Sequence, residues 1–192
     1  MIDAIMKFNF LDILIILLAM RICYKAFQMG LAVELFKLLG TIFAVYIALH
    51  YYTILSDMLG KMFMPKEMPL EFLDFLIFII LAVGGYLGFV ALRSIFYRFM
   101  KLEALPQLNQ FGGLVLGIIR LFFTVGLLTY ILMISSVKYL NEAVKYSVLG
   151  SKSVTISTNA YTWLWNNVTS KFSPNEKFNP TVEEVSKRFK AK

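Results

Sequence analysis

Four long apolar segments dominate the N-terminal part of the chain, and each has about the length of a membrane-spanning helix. About 20 helical residues are needed to cross the roughly 30 Å of bilayer hydrocarbon. Segment 75–92 has no charged residue, and segment 111–134 has only Arg120. Segments 8–24 and 31–52 are also apolar, apart from a few charges. The pattern predicts an all-α, polytopic membrane protein with four transmembrane helices, surrounded by a lipid bilayer.

The composition leads to the same conclusion. Hydrophobic residues make up 59% of the chain and charged residues 16%, whereas soluble domains carry roughly 25% charged residues. Lipid must hide this excess of apolar surface from water. The net charge of +7 comes mainly from the end of the chain, because ten basic residues stand against eight acidic ones before residue 135. The membrane part therefore lacks the broad cationic surface that nucleic-acid binding requires, and we expect no nucleic-acid partner.

The links between the apolar segments predict how the helices connect. Link 25–30 is short, which predicts an antiparallel hairpin of the first two helices. Link 56–74 is polar and holds two prolines that stop a helix, so we expect a surface loop there. Link 93–110 alternates basic and apolar residues until Pro106 ends it, a pattern suited to the lipid headgroup layer.

The rest of the chain has ordinary polarity and a basic charge. We therefore expect two parts: a four-span membrane domain, 1–134, and a basic, amphipathic C-terminal tail, 135–192. In the tail, a spacing typical of an amphipathic helix on a surface joins Ile156, Ala160, Trp163, Leu164 and Val168. Thr181 and Glu184 have the spacing of a capping box, which predicts a last short helix.

No catalytic motif is present in the sequence, so we expect no enzyme activity and no cofactor. His50 is the one histidine, and Cys23 is the one cysteine. These two residues cannot form a multi-thiolate metal site or a disulfide. His50 stands beside two tyrosines at the end of an apolar segment, which favours an anchor at the membrane boundary over a proton relay.

Two GxxxG patterns predict close helix packing. Gly84 and Gly88 form the pattern in the third apolar segment, and Gly113 and Gly117 form it in the fourth. Small residues four positions apart let helix backbones approach in a membrane. The strips serve either packing within one subunit or the interface of a homodimer or higher homo-oligomer, and we expect such an oligomer.

Ionisable side chains inside the apolar segments are the candidate functional residues, namely Asp12, Glu34 and Arg120. A charge at this depth is costly, so it faces the bundle interior or snorkels to the surface. Arg120 lies about nine residues, or roughly 13 Å, inside its segment. Glu34 is the expected counter-ion, since both residues approach from the same side, whereas Asp12 starts from the opposite side. A structural ion pair, a transport path and an unpaired, snorkelling arginine all remain open.

The sequence resembles the bacterial colicin V production protein family. The resemblance covers roughly Phe10 to Ser135 and rests on three stretches: Phe10-Leu11-Asp12-Ile13; Gly30-Leu31 with Glu34-Leu35 and Leu38-Leu39-Gly40; and Leu108-Asn109-Gln110-Phe111-Gly112-Gly113 with Gly117 and Arg120. Asn109 and Gln110 stand where the family commonly has a charged pair.

The resemblance implies a multi-pass protein of the bacterial inner membrane that is associated with colicin V production or export. The family is also linked with purine-gene operons and envelope stress, and related four-span modules anchor periplasmic serine proteases. We expect a non-enzymatic scaffold or assembly factor with a secretion or envelope protein as partner. The alternative is a small transporter or channel whose path is lined by the ionisable residues.

Both termini are expected outside the cytoplasm, because basic residues collect on the cytoplasmic side of a membrane. This orientation places Arg21, Lys25, Arg93, Arg98 and Lys101 in the cytoplasmic links, against Lys7, Lys61 and Lys66 on the other side. The first lysines of the tail, Lys138, Lys145 and Lys152, argue for the opposite orientation.

Overall fold

The computed structural model describes residues 9–63, 69–99, 106–135, 137–173 and 176–190, and every regular element in these ranges is helical. In chain order the elements are α1 (Phe10–Phe63), α2 (Leu70–Phe99), α3 (Pro106–Ile134), α4 (Lys138–Tyr146), α5 (Gly150–Leu164), a π-helical turn (Trp165–Thr169), α6 (Ser170–Phe172) and α7 (Pro180–Lys190). Within these ranges, three helices are long and apolar enough to cross a membrane: Phe10–Met62, Leu70–Ile95 and Gln107–Ile134.

Helix α1 is broken at Gly30, so it consists of a first arm, 10–29, and a second arm, 31–63. Gly30 has φ 79° and ψ 175°, a conformation that only glycine adopts without strain. The chain folds back at this break, because Ile22 of the first arm and Thr41 of the second line the same cavity. The expected hairpin is therefore present, and a single glycine makes the turn.

The polar links are shorter than the sequence suggests. Helix α1 continues to Phe63 and α2 starts at Leu70, so much of link 56–74 is helical rather than a loop. The two helices are joined there by buried Ser56, which donates a hydrogen bond to the Asp74 carboxylate. Pro106 begins α3 instead of ending the preceding segment, because proline is tolerated in a first helical turn. The middle of link 93–110 lies outside the described residues.

An aromatic cluster joins the three long helices near the chain start. Tyr52, Phe78 and Tyr130 are all fully buried and come from α1, α2 and α3. Phe78 stacks on Tyr130 with ring centroids 5.3 Å apart, and the hydroxyls of Tyr52 and Tyr130 lie 2.9 Å apart. A hydrogen-bonded aromatic core of this kind fixes the register of the helices.

The C-terminal helices fold back onto this same end of the bundle, so residues on both sides of position 134 share one core. Val154 and Tyr161 of α5 and Val182 of α7 belong to the buried cluster that contains Leu11 and Leu49. The amide of Asn179 donates a hydrogen bond to the Leu49 carbonyl over 2.8 Å.

Helix α5 contacts α3 through a small polar residue. Ser157 is fully buried against α3, where a Cβ added at Gly126 would collide with it. Trp163, from the apolar series predicted in the tail, is 60% exposed instead. Close approach of α5 to α3 requires small side chains at this contact, while Val154 and Tyr161 of the same helix are buried in the core.

Helix α7 is the expected last helix, but the predicted capping box of Thr181 and Glu184 is wrong. The helix begins at Pro180, and the backbone N–H of Thr181 donates to the Asn179 side-chain oxygen over 3.2 Å. Asn179 is therefore the N-cap, and proline occupies the first helical position.

Candidate functional site: an ion cluster and a cavity inside the helix bundle

Glu34 is the centre of an ion cluster between α1 and α3. Its side chain is fully buried in the first turn of the second arm of α1, where the helix dipole favours a carboxylate. Lys37 Nζ lies 2.5 Å from Glu34 Oε1, and Arg120 Nη2 lies 2.9 Å from Glu34 Oε2. The structure thus brings Glu34 and Arg120 together and adds Lys37, which the sequence places three residues after Glu34.

Glycines on α3 allow this contact. A Cβ at Gly113 would come within 2.6 Å of the Ala26 carbonyl oxygen, and a Cβ at Gly117 would collide with the Ala26 side chain. Any larger residue would push α3 away from the first arm of α1. Arg120 follows on the same face of α3 and reaches Glu34 because of this approach. The strip at Gly113 and Gly117 packs within the subunit.

Asn109 fixes the break in α1. Its side-chain oxygen accepts a hydrogen bond of 2.7 Å from the backbone N–H of Leu31, which is one of the orphan donors at the start of the second arm. A Cβ at Gly30 would overlap the Asn109 amide, so the turn needs glycine for space as well as for its φ. A neutral amide at 109 therefore has a structural role in this chain.

An open cavity of about 460 Å³ lies beside the ion cluster and is lined by both arms of α1, by α2 and by α3. Four cationic side chains line it: Arg21, Lys25, Lys37 and Arg120. Arg120 is 9% exposed, and its Nε is buried without a hydrogen-bond partner among the described residues. Lys37 also lines a second cavity of about 510 Å³, together with Arg93 and Ser94.

Asp12 lies at the other end of the bundle and does not join this cluster. Its carboxylate accepts hydrogen bonds from the Ser147 hydroxyl at 2.7 Å and from the backbone N–H of Leu149 at 2.8 Å. It also accepts the Asn9 N–H over 3.0 Å, as a cap of α1. Asp12 therefore joins the start of α1 to the loop between α4 and α5.

Gly84 and Gly88 face away from the subunit. Among the described residues, apart from their chain neighbours and the nearby backbone of α2 itself, no atom lies within 4 Å of where their Cβ atoms would be. The glycine of α2 that packs inside is Gly85, whose added Cβ would lie 3.3 Å from Ala44 Cα in α1. The strip at Gly84 and Gly88 thus presents an open surface on α2.

His50 belongs to a polar cluster that the sequence does not indicate. Its Nδ1 lies 2.9 Å from the Tyr161 hydroxyl, and its Nε2 lies 3.3 Å from a Glu176 carboxylate oxygen. Burial raises the pKa of Tyr161 to about 12, so this hydroxyl stays neutral. Glu176 also accepts a hydrogen bond from Tyr51 over 2.8 Å. His50 therefore links α1 to the tail, and only long-range folding reveals its partners.

The residues described above follow one another in an order that resembles a known family: Asp12, the Gly30 break, Glu34, and the glycine strip before Arg120. The sequence model of the colicin V production proteins matches residues 11–157. The chain belongs to the colicin V production protein family. Searches against curated proteins and against solved structures give no significant match.

The match to the colicin V production family extends further than the expected resemblance. It passes Ser135 and reaches residue 157, so it includes α4 and the first half of α5. It also contains every residue of the ion cluster and the loop that Asp12 binds. The region that the family model covers is therefore the helix bundle together with the first part of its C-terminal helices.

Proposed function

We propose that the chain is an inner-membrane factor of colicin V production that acts as a non-enzymatic scaffold. The family description supports the link with toxin production. The contact that carries the scaffold proposal is the attachment of the C-terminal helices to the bundle. Asp12 holds the start of α5, and Asn179 holds the start of α7 on the Leu49 carbonyl. A platform fixed in this way can present one surface to a secretion or envelope protein.

The proposed topology has four spans, because the Gly30 break divides α1 into arms of 20 and 33 residues. Each arm is long enough to cross the hydrocarbon. Both termini then lie on one side of the membrane, together with α4, α5 and α7. The basic residues of the links favour the non-cytoplasmic side for this end, whereas the basic residues of the C-terminal tail favour the cytoplasmic side.

The scaffold is proposed to assemble as a homodimer through Gly84 and Gly88. The support is that the surface at Gly84 and Gly88 is open, whereas the space beside Gly113 and Gly117 is occupied by residues of the same subunit. In membranes, an open strip of small residues favours helix association.

Toxin export in cells tests the scaffold proposal. Cells that lack this protein are complemented with wild type, with Asp12→Ala and with Lys61→Gln, a change at an exposed site on α1. We expect Asp12→Ala to lower colicin V export and cross-linking to secretion partners, while the variant still inserts into the membrane. Protease sensitivity after Leu149 reports whether the C-terminal helices are detached. Export at the wild-type level from a variant with detached helices would contradict the proposal.

The cavity supports a second candidate, a transporter for a small anion. Four cations beside one buried carboxylate would favour a negative solute. Purified protein in liposomes should then carry anion flux, and Arg120→Gln should abolish that flux. A scaffold would show no flux in either form, and Arg120→Gln would lower only its stability.

A further inference from the structure

We propose that the cavity between α1, α2 and α3 binds the phosphate group of an anionic membrane lipid. The inference depends on the cavity alone and applies to a scaffold and to a transporter alike. Four cationic side chains line this cavity, and the one nearby carboxylate, Glu34, is already shared by Lys37 and Arg120. A phosphate group would supply the negative charge that the cluster lacks.

The cations are arranged as an anion site. Arg21 and Lys25 are four residues apart and so lie on one face of the first arm of α1. Neither forms a salt bridge within the described part of the chain. Opposite them, buried Arg120 keeps an Nε donor that has no hydrogen-bond partner there. A phosphate group in the cavity between the first arm of α1 and α3 can accept hydrogen bonds from these groups through its several oxygens.

The depth and the remaining lining favour a lipid over a free anion. Lys25, Lys37 and Arg21 lie five to nine residues from Gly30, or about 7–14 Å along the helix axis. This distance is within one leaflet of a bilayer. On the α2 side two of the lining residues are apolar and exposed, Val83 at 52% and Leu87 at 56%. Acyl chains can lie against these residues while the headgroup enters the cavity.

Native mass spectrometry of the full chain in detergent tests the proposal with phosphatidylglycerol and with phosphatidylcholine of the same acyl chains. We expect phosphatidylglycerol to bind more tightly. The double variant Arg21→Gln/Lys25→Gln should bind it about tenfold more weakly, a change of about 1.4 kcal/mol. The matched control Lys61→Gln/Lys145→Gln removes the same charge from exposed positions outside the cavity. It should bind like the wild type.

A second variant tests the place of binding without a change in charge. Val83→Trp fills the α2 side of the cavity and should also weaken phosphatidylglycerol binding. Its melting temperature in detergent without lipid should equal that of the wild type, because Val83 is half exposed.

Three results would overturn the proposal. The first is equal binding of the two lipids, and the second is equal weakening in the cavity variant and the matched control. The third is stabilisation by inorganic phosphate alone: phosphate raises the melting temperature of the wild type but not of Arg21→Gln/Lys25→Gln, and phosphatidylglycerol has no such effect. That result would assign the site to a free anion.

Discussion

The two ends of the helix bundle are held together by different chemistry. At the end where the chain starts, Asp12, Tyr52 and Tyr130 make hydrogen bonds to distant parts of the chain inside a core covered by the C-terminal helices. At the Gly30 end, Glu34 and Arg120 form an ion pair beside an open cavity. The first arrangement fixes helices in register. The second keeps charge available at depth in the membrane, which is why we assign binding to it.

The largest expected effect follows removal of Glu34. Glu34→Leu leaves Lys37 and Arg120 buried without their carboxylate, and a stranded buried charge costs about 3–5 kcal/mol. We expect a large loss of melting temperature in detergent and of abundance in membranes. The matched variant Leu35→Ala changes an exposed neighbour and should have little effect. Equal stability of the two variants would remove the distinction between the two ends.

The next-largest effect is a difference in stability between substitutions in the two glycine strips. Gly117→Leu would push α3 away from Ala26, and overpacking of this kind costs up to about 3 kcal/mol. Gly88→Leu enters open space and should leave the fold intact. If Gly84 and Gly88 form the dimer contact, the Gly88 variant instead lowers the yield of cross-linked dimer. Thermal melting and cross-linking in membranes separate these results, and unchanged cross-linking in the folded Gly88 variant would contradict the dimer proposal.

A smaller effect is expected at the covered end. Asp12→Ala removes the acceptor of the Ser147 and Leu149 bonds, and hydrogen bonds to a charged group are worth about 1.5–3 kcal/mol. Hydrogen exchange should rise first in α4 and α5. Exchange that rises instead around Gly30 would show that the two ends are not independent.

The smallest effect is expected within the aromatic cluster. Tyr130→Phe removes the hydroxyl that faces Tyr52 but keeps the stacked ring, so it should cost about 1 kcal/mol. Thermal melting measures the loss. A loss as large as that of Glu34→Leu would mean that neutral and ionic contacts stabilise the bundle equally.

The sequence predicts the long helices well because hydrophobic length is a local signal. The proximity of Glu34 and Arg120 also followed from the sequence, since helical rise and the order of the links fix their depth. The partner of Asp12 did not follow, because residues 147–149 are more than 130 positions away and only tertiary packing brings them close.

Two errors in the tail have different origins. The apolar series in α5 did not identify every residue that contacts the bundle, since Trp163 is exposed while Ser157 packs on Gly126. The cap at Asn179 had a local signal that was missed. Asparagine directly before a proline suits the N-cap and first helical positions.

The most direct test of the account is a double-mutant cycle with Arg120→Leu, Glu34→Leu and the pair, measured as stability in detergent. Lys37 still pairs with Glu34 when Arg120 is removed, so Arg120→Leu should cost less than Glu34→Leu. The double variant should cost less than the sum of the single losses, because it no longer strands the arginine. Additive losses would contradict a coupled ion pair at the centre of the bundle.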